Sequence, residues 1–157
     1  MVFAATAIWL QPYVDVGARV EQRWLQSGAL PHALNHLEEQ AATGIRFVSQ
    51  SDMPEGQAYE QFIWDTRCVP TRDNLHDFFN GLVWLQFPHT KRRLNQLQAQ
   101  AIAADGVQAV RGPLRDALTV FDANGAVLSA PPALCAALRA RAWQARLGDW
   151  PPLWREA

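Results

Sequence analysis

The chain has 157 residues, an apolar fraction of 49% and a formal net charge of -1. A chain of this length buries roughly 70% of the surface that its unfolded form exposes, and with this apolar fraction we exclude an intrinsically disordered protein. The near-neutral charge disfavours a general attraction to nucleic acid, and no apolar run approaches the roughly 18 residues of a membrane-spanning helix. The two cysteines lack metal-finger spacing and the N-terminus lacks a basic signal region, so we expect a cytoplasmic protein.

The first half of the chain is predicted to contain three helices and a strand. Apolar spacing predicts a helix from about Val14 to Gln26 and a second one that opens at Pro31. Alternation of apolar and polar residues from Gly44 to Ser49 predicts a short strand with one buried face. A short helix is expected from Ala58 to Thr66, followed by extended backbone before Pro70.

The second half is predicted to contain three longer helices and a hairpin. One helix ends at Phe87, and Pro88 opens the next, which runs to about Ala104. Alternation from Ala117 to Ser129 around an Asn-Gly pair predicts two antiparallel strands, and a last helix follows from residue 131 to Leu147. We therefore predict a single α+β domain over residues 1–157, mainly helical, with five to six helices and a small antiparallel sheet of two to three strands.

The helix that ends at Phe87, which we call the stripe helix, carries a row of short polar side chains. The row consists of Asp73, His76, Asp77 and Asn80, at positions i, i+3, i+4 and i+7. A solvent-facing helix surface normally carries Lys, Glu, Arg or Gln, which are better helix formers than Asp, His and Asn. The row therefore indicates a candidate ligand site.

Ordinary helix physics explains part of this row. Asp73 is predicted to be the helix N-cap, and Asp77 in the first turn is favoured by the helix dipole. His76 and Asn80 do not help a helix, so they are the informative pair. They can form a structural network with Arg72 and the neighbouring backbone, or they can line a functional pocket, and the sequence leaves both alternatives open.

A second polar cluster lies around a Gly-Pro turn later in the chain and consists of Arg111, Arg115 and Asp116. An arginine pair beside a tight turn can hold a phosphate or a carboxylate by bidentate hydrogen bonds. It can equally pair with Asp73 and Asp77. Either role would bring this segment against the stripe helix, because buried charges need partners.

Three functional hypotheses follow. The leading one is a module that binds a small molecule or a protein in a polar pocket on the stripe helix, with these ligand-binding residues: Arg72, Asn80, Trp84, Arg111 and Arg115. The second is a hydrolase of the phosphoesterase type, with three candidate catalytic residues: His76, Asp77 and Asp116. His76 would then act as a general base or as a ligand of a divalent metal, and the sequence points to no other cofactor. The third hypothesis is a structural scaffold.

The chain also resembles a bacterial family known as domain of unknown function 3025. The residues that carry the resemblance are Val69 to Asn80, Trp84, Phe87-Pro88, Thr90-Lys91, Leu94-Asn95, Arg46 to Val48, Tyr59-Glu60 and the segment from Arg111 to Gly125. The resemblance implies membership of an uncharacterised family and supplies no catalytic role. Ala123 stands where an acidic residue is usual, and the family's members continue past the position of Ala157, so we expect a C-terminally shortened member.

Overall fold

The fold is taken from a computed structural model that describes residues 8–106, 112–126 and 128–142. This part of the chain contains seven α-helices and two strands. The helices are α1 (Val14–Ser27), α2 (Leu30–Ala41), α3 (Tyr59–Thr66), α4 (Leu75–Gln86), α5 (Pro88–Asp105), α6 (Pro113–Asn124) and α7 (Pro132–Arg139). The strands are β1 (Arg46–Ser49) and β2 (Cys68–Thr71). The mainly helical α+β class is confirmed, with one helix more than the predicted five to six.

The chain divides into two compact units, Met1–Asp122 and Ala123–Ala157. The first unit contains α1 to α5, the sheet and nearly all of α6, and the second contains α7. The single domain over residues 1–157 stays a prediction. The last helix was predicted to reach Leu147, but α7 ends at Arg139, and residues 143–157 lie outside the described part. Among the described helices, none has both the length and the apolar character to span a membrane.

The sheet is parallel, so the predicted antiparallel sheet is wrong. Strands β1 and β2 pair in parallel with Arg46 opposite Cys68 and Ser49 opposite Thr71. Parallel strands need a crossover, and α3 supplies it between them. Asn35 of α2 closes the outer edge of β1. Its side-chain N–H donates to the carbonyl of Phe47 at 2.7 Å, and its side-chain oxygen accepts from the backbone N–H of Phe47 at 2.8 Å. This side chain takes the place of a third strand.

The predicted hairpin from Ala117 to Ser129 is also wrong, because residues up to Asn124 form α6. Pro113 suits the first position of a helix, and an acidic residue lies in the first turn. Leu114, Leu118 and Phe121 recur every three to four residues, which is the helical period. The Asn-Gly pair that suggested a hairpin turn instead lies at the C-terminal end of this helix, with Asn124 as its last residue.

The core of the first unit lies where α1, α2, α4 and the sheet meet. Its buried members are Val20, Leu30, Ala33, Leu34, Leu37, Ile45, Phe47, Ile63, Val69, Phe78, Leu82 and Trp84. Helices α2 and α4 approach closely at Gly81, where a Cβ atom would stand 2.5 Å from a methyl carbon of Leu34. Any larger residue at this crossing would force the Leu34 side chain to move, so glycine lets α4, with its polar row, pack closely against α2.

Candidate functional site

The start of α4 differs from the prediction, because Asn74 and not Asp73 is the N-cap. The Asn74 side chain accepts a hydrogen bond from the backbone N–H of Asp77 at 2.8 Å. The Asp73 carboxylate instead turns towards α1 and α2. One of its oxygens accepts from the indole N–H of Trp24 at 3.0 Å and from the backbone N–H of Leu30 at 2.6 Å. Asp73 therefore stabilises the first turn of α2 and ties it to α1.

Asp77 is the centre of the polar row. Its Oδ2 accepts from the backbone N–H of Arg72 at 2.7 Å and from the Arg72 Nε at 3.0 Å. Its Oδ1 accepts from the Arg72 Nη2 at 3.1 Å and lies 2.8 Å from the His76 Nδ1. One carboxylate thus holds an arginine by a bidentate pair and a histidine by one ring nitrogen. We call Arg72, His76 and Asp77 the exposed edge.

The exposed edge combines a buried anchor with two side chains that reach solvent. The side chain of Asp77 is 7% exposed, whereas those of Arg72 and His76 are 57% and 79% exposed. Burial alone would raise the pKa of Asp77, but the hydrogen bonds from Arg72 and His76 outweigh it and hold the pKa below its ordinary value. Asp77 is therefore ionised at neutral pH and fixes both neighbours at the surface.

Asn80, the last member of the row, points to a different partner. Its side chain lies close enough to the phenol of Tyr59 in α3 to lower the pKa of that group. The Tyr59 hydroxyl donates to the carbonyl of Pro70 at 3.4 Å. Burial, with the nearby charges of Glu60 and Asp77, raises the pKa of Tyr59 well above its usual range, so this phenol stays protonated. Asn80 thus belongs to a structural network rather than to the exposed edge.

A second polar group, the buried cluster, lies between α3, α5 and α6. It consists of Glu60, Lys91, Asn95 and Asp122. The Lys91 Nζ contacts both oxygens of Asp122 at 2.7 and 2.8 Å, and the Asn95 amide donates to the Glu60 Oε2 at 2.7 Å and to the Glu60 carbonyl at 2.8 Å. The Lys91 side chain is buried, whereas that of Asp122 is 30% exposed. This cluster connects α5 to both α3 and α6.

Trp84 and Glu60 show how far the buried cluster is withdrawn from solvent. The Lys91 Nζ lies 5.4 Å from the centre of the Trp84 ring, and Trp84 is a core residue. The binding hypothesis expects an open groove beside Trp84, but this side chain is packed in the core instead. Burial raises the pKa of Glu60, and the Asn95 hydrogen bond and the Lys91 charge only partly oppose it.

The predicted arginine cluster is distributed differently from the expectation. Arg115 lies on α6, where its charge acts on the Glu60 carboxyl and where its buried Nε makes no hydrogen bond to a described residue. Asp116 is exposed on the same helix. Arg111 lies outside the described residues. Asp122 and Thr119 of α6 accept hydrogen bonds from Lys91 and Gln98 of α5.

Sequence reasoning missed most of the buried cluster, although a signal for it exists. Lys91, Asn95 and Gln98 occur at i, i+4 and i+7 on α5, and all three are buried. This is the same kind of row that singles out the stripe helix. Lys and Gln are ordinary helix-surface residues, so this row does not stand out in the sequence.

The exposed edge lies on the surface rather than in a closed cavity. A cavity of about 350 Å³ is lined by Glu21, Trp24, Leu25 and Gly28, none of which belongs to the edge. Over residues 8–106, 112–126 and 128–142, no group of three His, Cys, Asp or Glu side chains is arranged to bind a metal ion. A role for His76 as a metal ligand therefore has no support from neighbouring ligands in the described chain.

Comparison with known proteins identifies a family and nothing closer. The family model described as protein of unknown function (DUF3025) matches residues 45–157. Neither a curated protein nor a solved structure matches the chain. The match includes α3, α4, α5 and α6, so it contains both the exposed edge and the buried cluster. The chain belongs to this family.

Proposed function

For this member of a family of unknown function, we propose a binding module that holds an anionic group, a carboxylate or a phosphate, at the exposed edge. The observation that carries the proposal is the pair of contacts made by Asp77, which fixes Arg72 on one side and His76 on the other. Both held side chains are more than half exposed. A protein that orders an arginine and a histidine at its surface offers a ligand two prepared hydrogen-bonding groups.

The guanidinium of Arg72 has a second recognition edge. Arginine has five N–H donors, and Arg72 uses its Nε and one hydrogen of Nη2 for Asp77. The Nη1 donors and the second hydrogen of Nη2 make no hydrogen bond to any described residue. These donors form the edge that binds a carboxylate or a phosphate in a bidentate manner.

The charge of the exposed edge limits the expected affinity. The positive charge of Arg72 is balanced by the negative charge of Asp77, so a bound anion is held by directional hydrogen bonds more than by net attraction. Protonation of His76 would add one positive charge. We therefore expect weak binding with little dependence on salt, in contrast to a dedicated phosphate pocket with several unpaired cations.

A titration with inorganic phosphate, followed by ¹H–¹⁵N NMR, tests the proposal. We expect saturable shifts at the Arg72 Nε–H and at the backbone of the exposed edge. Arg72→Gln should abolish them, because it removes the outer N–H donors of the guanidinium. Arg93→Gln is the matched control, since Arg93 is an exposed arginine of α5 that pairs with Gln96. Equal phosphate binding in the Arg72 and Arg93 variants would contradict the proposal.

A hydrolase is the second candidate, and the contact between Asp77 and His76 favours it. A carboxylate at Nδ1 keeps the proton there and leaves Nε2 as an acceptor, which is the arrangement of a general base. Asn80 lies beside Tyr59, so the remaining group for a developing negative charge is Arg72. Turnover of p-nitrophenyl phosphate that is lost in His76→Gln would establish this activity. Turnover that is unchanged in that variant would remove it.

A further inference from the structure

We infer that α6 is a detachable helix, which polar contacts hold on α5 and which leaves α5 as a unit while the core of the first unit stays folded. The helix covers the buried side chains of Lys91 and Gln98, which it contacts through Asp122 and Thr119. Detachment of α6 therefore exposes these two polar side chains of α5 to solvent.

The packing of α6 differs from that of the other helices. Among the seven described α-helices it is the only one without a buried residue. Two of its large apolar side chains are turned to solvent, since Leu114 is 56% and Phe121 is 54% exposed. Most of the stability of a helix in a protein comes from the packing of an apolar face. This contribution is small for α6.

The side of α6 that faces the rest of the first unit is polar. Arg115, Thr119 and Asp122 occur at i, i+4 and i+7, so they share one face of the helix. The Oγ1 of Thr119 accepts from the Gln98 amide at 3.2 Å, and both oxygens of Asp122 accept from the Lys91 Nζ. A surface helix normally turns its apolar face inwards, and α6 reverses this arrangement.

The polar contacts hold α6 less firmly than buried apolar contacts would. The side chain of Asp122 is 30% exposed, so water competes for its carboxylate and weakens the pair with Lys91. The buried Nε of Arg115 makes no hydrogen bond to a described residue, and detachment lets water satisfy it. Elements with few buried apolar contacts open at a lower free energy than the core. We therefore expect α6 to detach many times for each unfolding of the whole unit.

Amide hydrogen exchange of the whole chain, measured by NMR, tests the detachment. An isolated helix of this length is marginal in water, so the amides of α6 exchange once the helix has left α5. We expect the central amides of α6 to share one opening constant, about a hundredfold or more above that of the central amides of α2 and α4. Low urea concentrations should hardly change it, because detachment exposes little surface.

Asp122→Asn and Asp116→Asn are a matched pair of variants on α6. Asp122→Asn removes the charge that faces Lys91, and the loss of this charge-assisted contact should raise the opening constant about tenfold. Asp116 is exposed in the first turn of the same helix. Its substitution alters only the interaction with the helix dipole, so we expect a change of less than about threefold.

Thiol labelling of Gln98→Cys, in a chain that also carries Cys68→Ser and Cys135→Ser, measures the exposure of α5 directly. Gln98 is 6% exposed and contacts Thr119, so a thiol at this position reacts when α6 has left. Asp122→Asn should accelerate the labelling by the same factor of about ten.

Two results would overturn the inference. If the amides of α6 show the opening constant and the urea dependence of the core amides, the helix opens only when the whole unit unfolds. The wild-type protein alone decides this point, even if Asp122→Asn folds poorly. If Asp116→Asn and Asp122→Asn raise the opening constant equally, the stability of the helix itself, and not its polar contact with α5, controls the opening.

Discussion

Asp77 is a buried carboxyl of the first unit and Glu60 a half-buried one, and their surroundings move their pKa values in opposite directions. The Asp77 oxygens accept three hydrogen bonds from Arg72 and contact His76, and these outweigh burial and lower the pKa. The Glu60 side chain accepts from one neutral amide, so burial prevails and the pKa rises. The difference shows that burial alone does not decide the charge of a carboxyl; the number of charged donors around it does.

The exposed edge and the buried cluster also differ in the solvent exposure of their cations. At the exposed edge the cation is Arg72, with most of its side chain in solvent, where it can meet a ligand. In the buried cluster the cation is Lys91, which is enclosed between Asp122 and the Trp84 ring. We infer that the edge presents charge, whereas the cluster holds helices together. Changes to the cluster should therefore affect mainly stability, and changes to the edge should affect mainly binding.

The largest effect is expected from Lys91→Met. Removal of this cation leaves the carboxyls of Asp122 and Glu60 near each other without a compensating charge. Loss of one partner of a buried pair costs about 3–5 kcal/mol, and the partial exposure of Asp122 reduces our expectation to about 2–3 kcal/mol. Urea denaturation measures the loss. Arg93→Met on the exposed face of the same helix is the control, and a similar small loss in both variants would contradict a structural role for the cluster.

Asp77→Asn is expected to have the next largest effect, with a characteristic dependence on pH. The lowered pKa of Asp77 contributes stability that is fully present above its ordinary value of 3.8 and is lost as the pH falls through the folded-state value. We expect a loss of about 1–2 kcal/mol at neutral pH, which disappears below pH 3.8. Denaturation curves at several pH values measure it. A loss that does not change with pH would mean that the Asp77 charge is not what stabilises the edge.

Glu60→Gln should show the opposite pH dependence with a smaller magnitude. The raised pKa of Glu60 gives a contribution that is present below its ordinary value of 4.5 and is lost as the pH rises through the folded-state value. The neutral amide has no charged form, so relative to this variant the wild-type protein should lose up to about 1 kcal/mol as the pH rises from 4.5 to 7. The same denaturation series checks this. A wild-type protein that gains stability over this range relative to Glu60→Gln would reverse the comparison between the two carboxyls.

The smallest effect on stability is expected from His76→Gln. The His76 side chain is 79% exposed, and surface substitutions usually change stability by less than about 0.5 kcal/mol. The same variant should weaken phosphate binding, because the second contact of the edge is altered. Thermal unfolding and the phosphate titration measure the two effects. A large loss of stability without a change in binding would place His76 in the structural network instead.

The sequence predicts the stripe helix well because its signals are local. The period of the polar row and the turn residues around it require no knowledge of the remaining chain. The errors arise where distant residues decide. Asp73 is a good N-cap by type, but Trp24 and the start of α2 compete for its carboxylate, and Asn74 takes the cap. The Asn-Gly pair after α6 is a strong hairpin signal, but the helical period before it prevails.

The grouping of polar side chains around Asp77 could be predicted in part, because its signals are also local in the sequence. The spacing on α4 identifies Asp77 and His76, and Arg72 precedes them at close distance along the chain. Asn80 is separated from this group because it lies beside Tyr59. Tyr59 belongs to another helix, and no local sequence pattern connects it with Asn80. The buried cluster requires three helices to meet, so its residues resemble solvent-facing ones until the fold is known.

The buried carboxylate of Asp77 holds Arg72 and His76 in a fixed outward geometry. The most direct measurement is the ¹⁵N NMR spectrum of the His76 ring and of the Arg72 Nε–H in the wild-type protein and in Asp77→Asn. We predict a proton fixed at His76 Nδ1 and a slowly exchanging Arg72 Nε–H in the wild-type protein, with both features lost in the variant. An averaged His76 ring and a rapidly exchanging Arg72 Nε–H in both proteins would contradict the claim.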